Sequence, residues 1–186
     1  MLDQFPTLET ARLTLREMRM EDADAVFRIF SDPVVMQYHD SETFTDVGQA
    51  RGFIERMGQR FIRGVGIRWG ITRTEDDAVI GTGGFNRWNL PDRYAAIGYD
   101  LAQSAWGHGI MTEAVGAMVH FGFERLDLNR IEAETMLDNG ASIRVLEKLG
   151  FQHEGIVRQK YFWKGQFHTM RLFSLLRREY GAKEDG

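Results

Sequence analysis

The stretch YAAIGYDLAQSAWGHGIMTEAVGAMVHFGF, residues 94–123, decides the fold. It begins with an apolar run over residues 94–101 that predicts a strand, and it continues into apolar residues at helical spacing from Ile110 to Phe121. Between them lie Gly107 and Gly109, which have no Cβ atom and so allow the chain to turn tightly. The stretch therefore predicts a strand, a glycine loop and a long helix in succession.

The segments on either side extend this unit into a sheet. Residues 130–136 predict another strand, and a strand that is reached through a helix pairs in parallel with the strand before it. Short polar turns separate three apolar runs, which favours an antiparallel meander. These runs are residues 67–72, 79–88 and 94–101.

The two ends of the chain add further helices and strands. Helical spacing with cap residues predicts helices at 22–30, 44–62 and 139–149, and period-two alternation predicts a strand at 10–18. Two long strands at 151–163 and 167–176 form a hairpin. The predicted order is βααβββαβαββ, an α/β fold with a mixed central sheet of about seven strands and helices on both faces. We expect residues 1–186 to form a single domain, because about 100–200 residues suffice to bury a stable core.

The composition excludes several classes of function. The chain has a net charge of −4 and no cysteine, so we expect no nucleic-acid partner, no disulfide framework and no cysteine nucleophile. Its five histidines lack the short paired spacing of zinc motifs, so we expect no metal site. Residues 1–10 do not resemble a signal peptide and no apolar run approaches the length of a membrane span, which predicts a cytoplasmic protein without a membrane partner.

The glycine loop has the chemistry of an anion site. Backbone amides at the start of a helix are unpaired and favour phosphate or pyrophosphate. By itself the motif also fits a plain turn, and a strand, glycine loop, helix and second strand with Glu134 resemble a dinucleotide site. However, Thr112 stands where the third glycine of that fingerprint belongs, and an antiparallel meander precedes the loop.

Seven sequence blocks, in order along nearly the whole chain, carry a resemblance to a known family. They are TARLTLR from Thr10, SDP from Ser31, IGYDL from Ile97, WGHGIMTEA from Trp106, NRIEA from Asn129, NGASIRVLEKLGF from Asn139 and EGIVR from Glu154. With these blocks the chain resembles the RimJ/RimL-like branch of the GNAT superfamily of N-acetyltransferases. The family pattern has Gln or Arg three residues before the first glycine, whereas this chain has Ser104.

The resemblance implies that an acetyl group passes from acetyl-CoA to a primary amine by direct attack in a ternary complex. It implies Glu154 as the base and Ser142 as the acid, with Tyr161 as a reserve acid. It also implies a set of residues that bind acetyl-CoA through the loop, the preceding strand and the following helix. These are Tyr99, Leu101, Trp106, Gly107, His108, Gly109, Ile110, Met111, Asn139 and Ser142.

The identity of the acceptor stays open in the sequence. The branch includes enzymes that modify protein N-termini and enzymes that act on small-molecule amines, and analogy with it suggests a homodimer. A catalytically silent CoA-binding or interaction module is the alternative, and a dinucleotide-binding protein is a more distant one. Ser142 and Glu154 favour an enzyme over the silent module.

Overall fold

The computed structural model describes residues 2–181. Thirteen helices and strands follow one another in this part of the chain, with short 3-10 turns between some of them. They are β1 (Leu8–Glu9), β2 (Leu13–Arg16), α1 (Ala23–Phe30), α2 (Val47–Ile62), β3 (Ile67–Arg73), β4 (Val79–Asn89), β5 (Tyr94–Leu101), α3 (Ile110–Glu124), β6 (Arg130–Met136), α4 (Gly140–Leu149), β7 (Gln152–Trp163), β8 (Gln166–Leu176) and α5 (Arg177–Gly181).

The strands form one mixed sheet in the order β1-β2-β3-β4-β5-β6-β8-β7. Neighbouring strands are antiparallel except β5 and β6, which are parallel and are joined through α3. The predicted crossover and the predicted meander are therefore both confirmed. With only one parallel pair among the described strands, the sheet differs from the repeated βα units of a dinucleotide-binding fold.

The parallel pair separates part-way along its length. Strands β5 and β6 are in register only from Tyr94 opposite Arg130 to Ile97 opposite Ala133. Beyond that point β5 continues to Leu101 and β6 to Met136 without pairing to each other. The sheet thus has a slot between the carboxyl-terminal parts of these two strands. We call the part of β6 that borders the slot, residues 134–136, the open end of β6, and the part that pairs with β5 the paired end.

Helices cover both faces of the sheet. Helices α3 and α4 pack with Ile97 and Ala133 in the larger hydrophobic cluster, on what we call the α3 face. Helices α1 and α2 form the second cluster on the other side, the α2 face. Because side chains alternate along a strand, Tyr99 shares the α3 face with Ile97, whereas Gly98 and Asp100 lie on the α2 face.

The predicted boundaries agree closely with the structure at the centre of the chain and less well at its ends. The sheet has eight strands rather than about seven, because β1 adds a strand by pairing Leu8 and Glu9 with β2. A two-residue strand has no alternation to detect, so it could not be predicted. Helix α2 begins after its cap, Asp46, which accepts a hydrogen bond from the Gln49 amide. None of the helices described between residues 2 and 181 is long and apolar enough to cross a membrane.

Candidate active site

The glycine loop joins the carboxyl end of β5, beside the slot, to helix α3. Gly107 and Gly109 have φ angles of 80° and 75°, in the left-handed region that other residues rarely adopt. Gly109 is the N-cap of α3, and no side chain caps the amides of the first turn. Nothing lies within 4 Å of where a Cβ atom of Gly107 would be. The loop therefore presents backbone N–H groups in open space at the positive end of a helix dipole.

Arg12, the residue before β2, holds this loop. Its Nη1 donates to the carbonyl oxygen of His108 at 3.0 Å, and its Nε donates to Oε2 of Glu113 at 2.7 Å. In a planar trans peptide the carbonyl and the next amide point in opposite directions, so the Gly109 N–H points away from Arg12. Burial would raise the pKa of Glu113, but hydrogen bonds from Thr10 and Arg12 outweigh it and lower that pKa. Glu113 therefore stays ionised and orients the guanidinium that fixes the loop.

A hydrogen bond connects the start of α4 to β5 beside the slot. The Tyr99 hydroxyl and the Ser142 Oγ are 2.8 Å apart. Burial raises the pKa of Tyr99 to about 12, so the phenol keeps its proton. Asn139 caps α4 by accepting a hydrogen bond from the Ser142 amide at 3.1 Å. Four of the predicted site elements thus belong to one region of the α3 face. They are β5, the glycine loop, Asn139 and Ser142.

Other predicted residues of this region have simpler contacts. Trp106 donates from its indole N–H to the carbonyl of Leu101 at 2.8 Å, which fixes the chain between β5 and the loop. His108 is exposed, Met111 is buried and Ile110 packs against the core. Ser104 is exposed within the 3-10 turn Gln103–Ala105.

Glu154 lies at the other end of β6, where β5 and β6 are paired. Its two oxygens accept hydrogen bonds from Arg130 at 2.7 and 2.5 Å, and the Ser174 hydroxyl donates to Oε1 at 2.6 Å. The Arg130 guanidinium and the Ser174 hydroxyl lower the pKa of Glu154 to about 2. The structure therefore does not bring Glu154 together with Ser142. Tyr161 lies in the β7–β8 hairpin beside Trp163, with the Nζ atom of Lys160 5.2 Å from the centre of its ring.

The arrangement of a parallel pair that separates beside a glycine loop matches a known family. A family model described as an acetyltransferase (GNAT) domain matches residues 12–152. The chain belongs to the GNAT acetyltransferase family. The protein is thus an N-acetyltransferase, and the fold expected from the resemblance is confirmed.

Individual GNAT proteins resemble the chain over different lengths. An uncharacterised N-acetyltransferase, p20 of Bacillus licheniformis, is 45% identical over 176 residues, which are 95% of this chain and 99% of that protein. The ribosomal-protein-serine acetyltransferase of Escherichia coli is 31% identical over 100 residues, 54% of this chain and 56% of its own. The resemblance to the RimJ/RimL-like branch is therefore confirmed.

A solved structure matches the fold of this GNAT domain at low sequence identity. It is the microcin C7 self-immunity acetyltransferase MccE in complex with acetyl-CoA and AMP. Its TM-score is 0.82 at 19% identity, over 90% of this chain and 93% of that chain.

The sequence analysis missed a polar group on the α2 face of the slot. Arg68 forms an ion pair with Asp100, and it donates from Nε to the Thr82 hydroxyl at 2.9 Å. His39 approaches the same carboxylate, with Nε2 3.8 Å from Oδ1 of Asp100. The alternation of side chains along β5 could have indicated that Asp100 lies on the face opposite the apolar one. No local pattern, however, connects His39 to it across 61 residues.

Proposed function

We propose that this GNAT enzyme transfers an acetyl group from acetyl-CoA to a primary amine, by direct attack of the amine in a ternary complex. The single observation that carries the proposal is the slot between β5 and β6, which lies beside the glycine loop. An acyl chain in this slot has backbone groups of β5 along one side. Because the slot passes through the sheet, the thioester carbonyl of this acyl chain is exposed to both faces.

The residues around the loop fit the charge and shape of acetyl-CoA. The first-turn amides of α3 suit the pyrophosphate, because unpaired N–H groups and the helix dipole both favour an anion. The unpaired edge of β5 beyond Ile97 suits the pantetheine arm, whose amides can pair as a strand does. One backbone N–H around Tyr99, Asp100 and Leu101 would donate to the thioester oxygen as negative charge develops there. The complex of MccE with acetyl-CoA supports this choice of cosubstrate by analogy of fold.

Ser142 is proposed as the acid that protonates the leaving thiolate. Its hydroxyl is on the α3 face, at the first turn of α4, and Tyr99 is within hydrogen-bonding distance to resupply a proton. A thiolate that leaves on this face is thus met by a donor. The absence of any cysteine in the sequence agrees with transfer without a covalent cysteine intermediate.

The assignment of the base to Glu154 has less support from the geometry. A carboxylate with a pKa of about 2 and three hydrogen bonds is a weak proton acceptor, because accepting a proton would break the ion pair with Arg130. Glu154 is also beside the paired end of β6 rather than the slot. It remains a prediction from the resemblance, and the variants described below test it.

A thiol-release assay with acetyl-CoA and a panel of primary amines tests the proposed function. The panel contains short peptides with a free N-terminus and small diamines, so that both acceptor classes are represented. Release of CoA with at least one of these amines, and formation of the N-acetyl product by mass spectrometry, is the expected result. Tight binding of acetyl-CoA in calorimetry without transfer to any amine would instead support a silent binding module.

A further inference from the structure

A second carboxylate lies at the open end of β6. Glu134 follows Ala133, the last residue of β6 that pairs with β5. Since Ala133 belongs to the core on the α3 face, alternation places the Glu134 side chain on the α2 face. It therefore borders the slot on the side opposite Ser142 and the glycine loop.

The two oxygens of Glu134 have different surroundings. Oε1 accepts a hydrogen bond from Lys160 at 2.5 Å, whereas Oε2 is buried and has no hydrogen-bond partner. The only other buried side-chain atom without a partner among residues 2–181 is Nε of Arg171, which alternation places on the α3 face with Phe173. A buried polar atom without a partner costs about 1–3 kcal/mol, so such atoms in native proteins call for an explanation.

The other carboxylates near the slot are each paired with an arginine. Asp100 is held by Arg68, and Glu132 is held with Glu154 by Arg130. The Nδ1 atom of His39 accepts a hydrogen bond from the Ser41 amide at 3.1 Å. The Nε2 atom of the same ring is 3.8 Å from Oδ1 of Asp100.

We propose that Glu134, through its free Oε2, is the proton acceptor for the amine that attacks from the α2 face. The inference rests on the proposed acetyl transfer. It assigns the base and the acid to opposite faces of one slot, with Glu134 on the α2 face and Ser142 on the α3 face. The acceptor class that it implies is a primary ammonium, whose N–H groups would donate a hydrogen bond to the unpartnered Oε2 of Glu134.

The protons balance as follows. Glu134 takes one proton from the ammonium, which leaves a lone pair on nitrogen. The nitrogen–carbon bond then forms at the thioester carbonyl, and the carbon–sulfur bond breaks with its electron pair on sulfur. The second nitrogen proton passes to water, Ser142 gives a proton to the sulfur and regains one from solvent through Tyr99, and Glu134 returns its proton to solvent.

The test compares Glu134→Gln with Glu154→Gln in the thiol-release assay, with an amine that the wild-type protein acetylates. We expect Glu134→Gln to lower kcat by about 100-fold, within the usual range for loss of a general base, and to cause a larger loss than Glu154→Gln does. Hydroxylamine, which is already neutral at pH 7, needs no deprotonation before it attacks. The loss with Glu134→Gln should therefore be less than about tenfold with hydroxylamine.

Two controls separate proton acceptance from a structural role. Lys160→Met breaks the same ion pair but keeps the carboxylate, so it should retain most of the rate. Calorimetric affinity for acetyl-CoA should be unchanged in Glu134→Gln, which also shows that the variant is folded. If it binds no acetyl-CoA, Glu134→Asp replaces it, with an intermediate rate expected.

Three results would overturn the assignment. The first is a Glu134→Gln protein as active as wild type. The second is an equal loss in Lys160→Met, which would make the ion pair structural. The third is a larger loss in Glu154→Gln. If the wild-type protein binds acetyl-CoA but acetylates no amine, including hydroxylamine, the proposed function itself fails, and the role of Glu134 fails with it.

Discussion

A glutamate lies beside each end of β6, and the two glutamates differ in how many hydrogen bonds they accept. At the paired end, Glu154 is saturated by Arg130 and Ser174, with three hydrogen bonds to its two oxygens. At the open end, Glu134 has one bond to Lys160, and its second oxygen is buried without a partner. Hydrogen bonds to a carboxylate stabilise the ionised form, so the first glutamate is suited to stability and the second to chemistry.

The difference between the two glutamates coincides with the separation of β5 from β6. Where the strands pair, the backbone and side chains of both can close around each other, and Arg130 serves Glu132 and Glu154 together. Beyond Ile97 and Ala133 the strands no longer share hydrogen bonds, so groups there keep unsatisfied capacity. A substrate can form hydrogen bonds only with groups whose donors or acceptors are still free.

The largest effect outside the Glu134 comparison is expected at Ser142. Ser142→Ala removes the proposed acid at the open end, and it should lower kcat about 100-fold, about 2.7 kcal/mol of activation free energy. Ser174→Ala is the matched control, because Ser174 donates a similar hydrogen bond at the paired end. Steady-state kinetics with one acceptor would measure both. Equal rates in the two variants would show that Ser142 is only a helix-capping neighbour.

The glycine loop should show the next largest effect. Gly109→Ala introduces a Cβ atom at a φ of 75° and disturbs the first-turn amides of α3, so we expect about tenfold weaker acetyl-CoA binding, about 1.4 kcal/mol. Gly165→Ala carries the same backbone strain at a φ of 76° in the β7–β8 turn. Calorimetry should find its affinity unchanged. A similar loss in both variants would attribute the effect to destabilisation rather than to the loop.

The paired end should affect stability rather than catalysis. The folded-state pKa of Glu154, about 2, is below the ordinary value of 4.5, so its contribution is present above pH 4.5 and is lost as the pH falls toward 2. Because the side chain is 37% exposed, we expect about 1 kcal/mol rather than the full value of the shift.

Denaturant unfolding between pH 7 and pH 2 measures this contribution. Glu154→Gln should lose the part of the pH dependence that lies below pH 4.5. Glu147→Gln, at an exposed position of α4, should keep it. An unchanged pH profile in Glu154→Gln would mean that the ion pair with Arg130 contributes nothing to stability.

The smallest effect is expected at Arg12. Arg12→Ala frees the His108 carbonyl and should weaken acetyl-CoA binding about threefold, about 0.6 kcal/mol. Acetyl-pantetheine lacks the pyrophosphate, so its affinity should not change. Arg12→Lys should restore only part of the affinity, because a lysine cannot hold Glu113 and the carbonyl in one plane. Equal losses for both thioesters would contradict a role at the pyrophosphate.

The fold was largely predictable because its signals are local. Strands β5 and β6 were predicted with the observed bounds. The glycine loop, Asn139 and Ser142 were predicted as site residues from their places in short motifs, and their roles remain predictions. The contact between Lys160 and Glu134 on the α2 face was not predicted, because it joins residues that are 26 positions apart and lie on two different strands.

The sequence by itself determined the order of helices and strands, the family and the loop at the start of α3. These depend on periodicity, on glycine's freedom at positive φ and on motif spacing, all of which act over a few residues. Only the tertiary structure decided which glutamate is saturated and which has a free oxygen. That distinction depends on partners that come from other strands, since Arg130 and Ser174 reach Glu154 whereas only Lys160 among the described residues reaches Glu134.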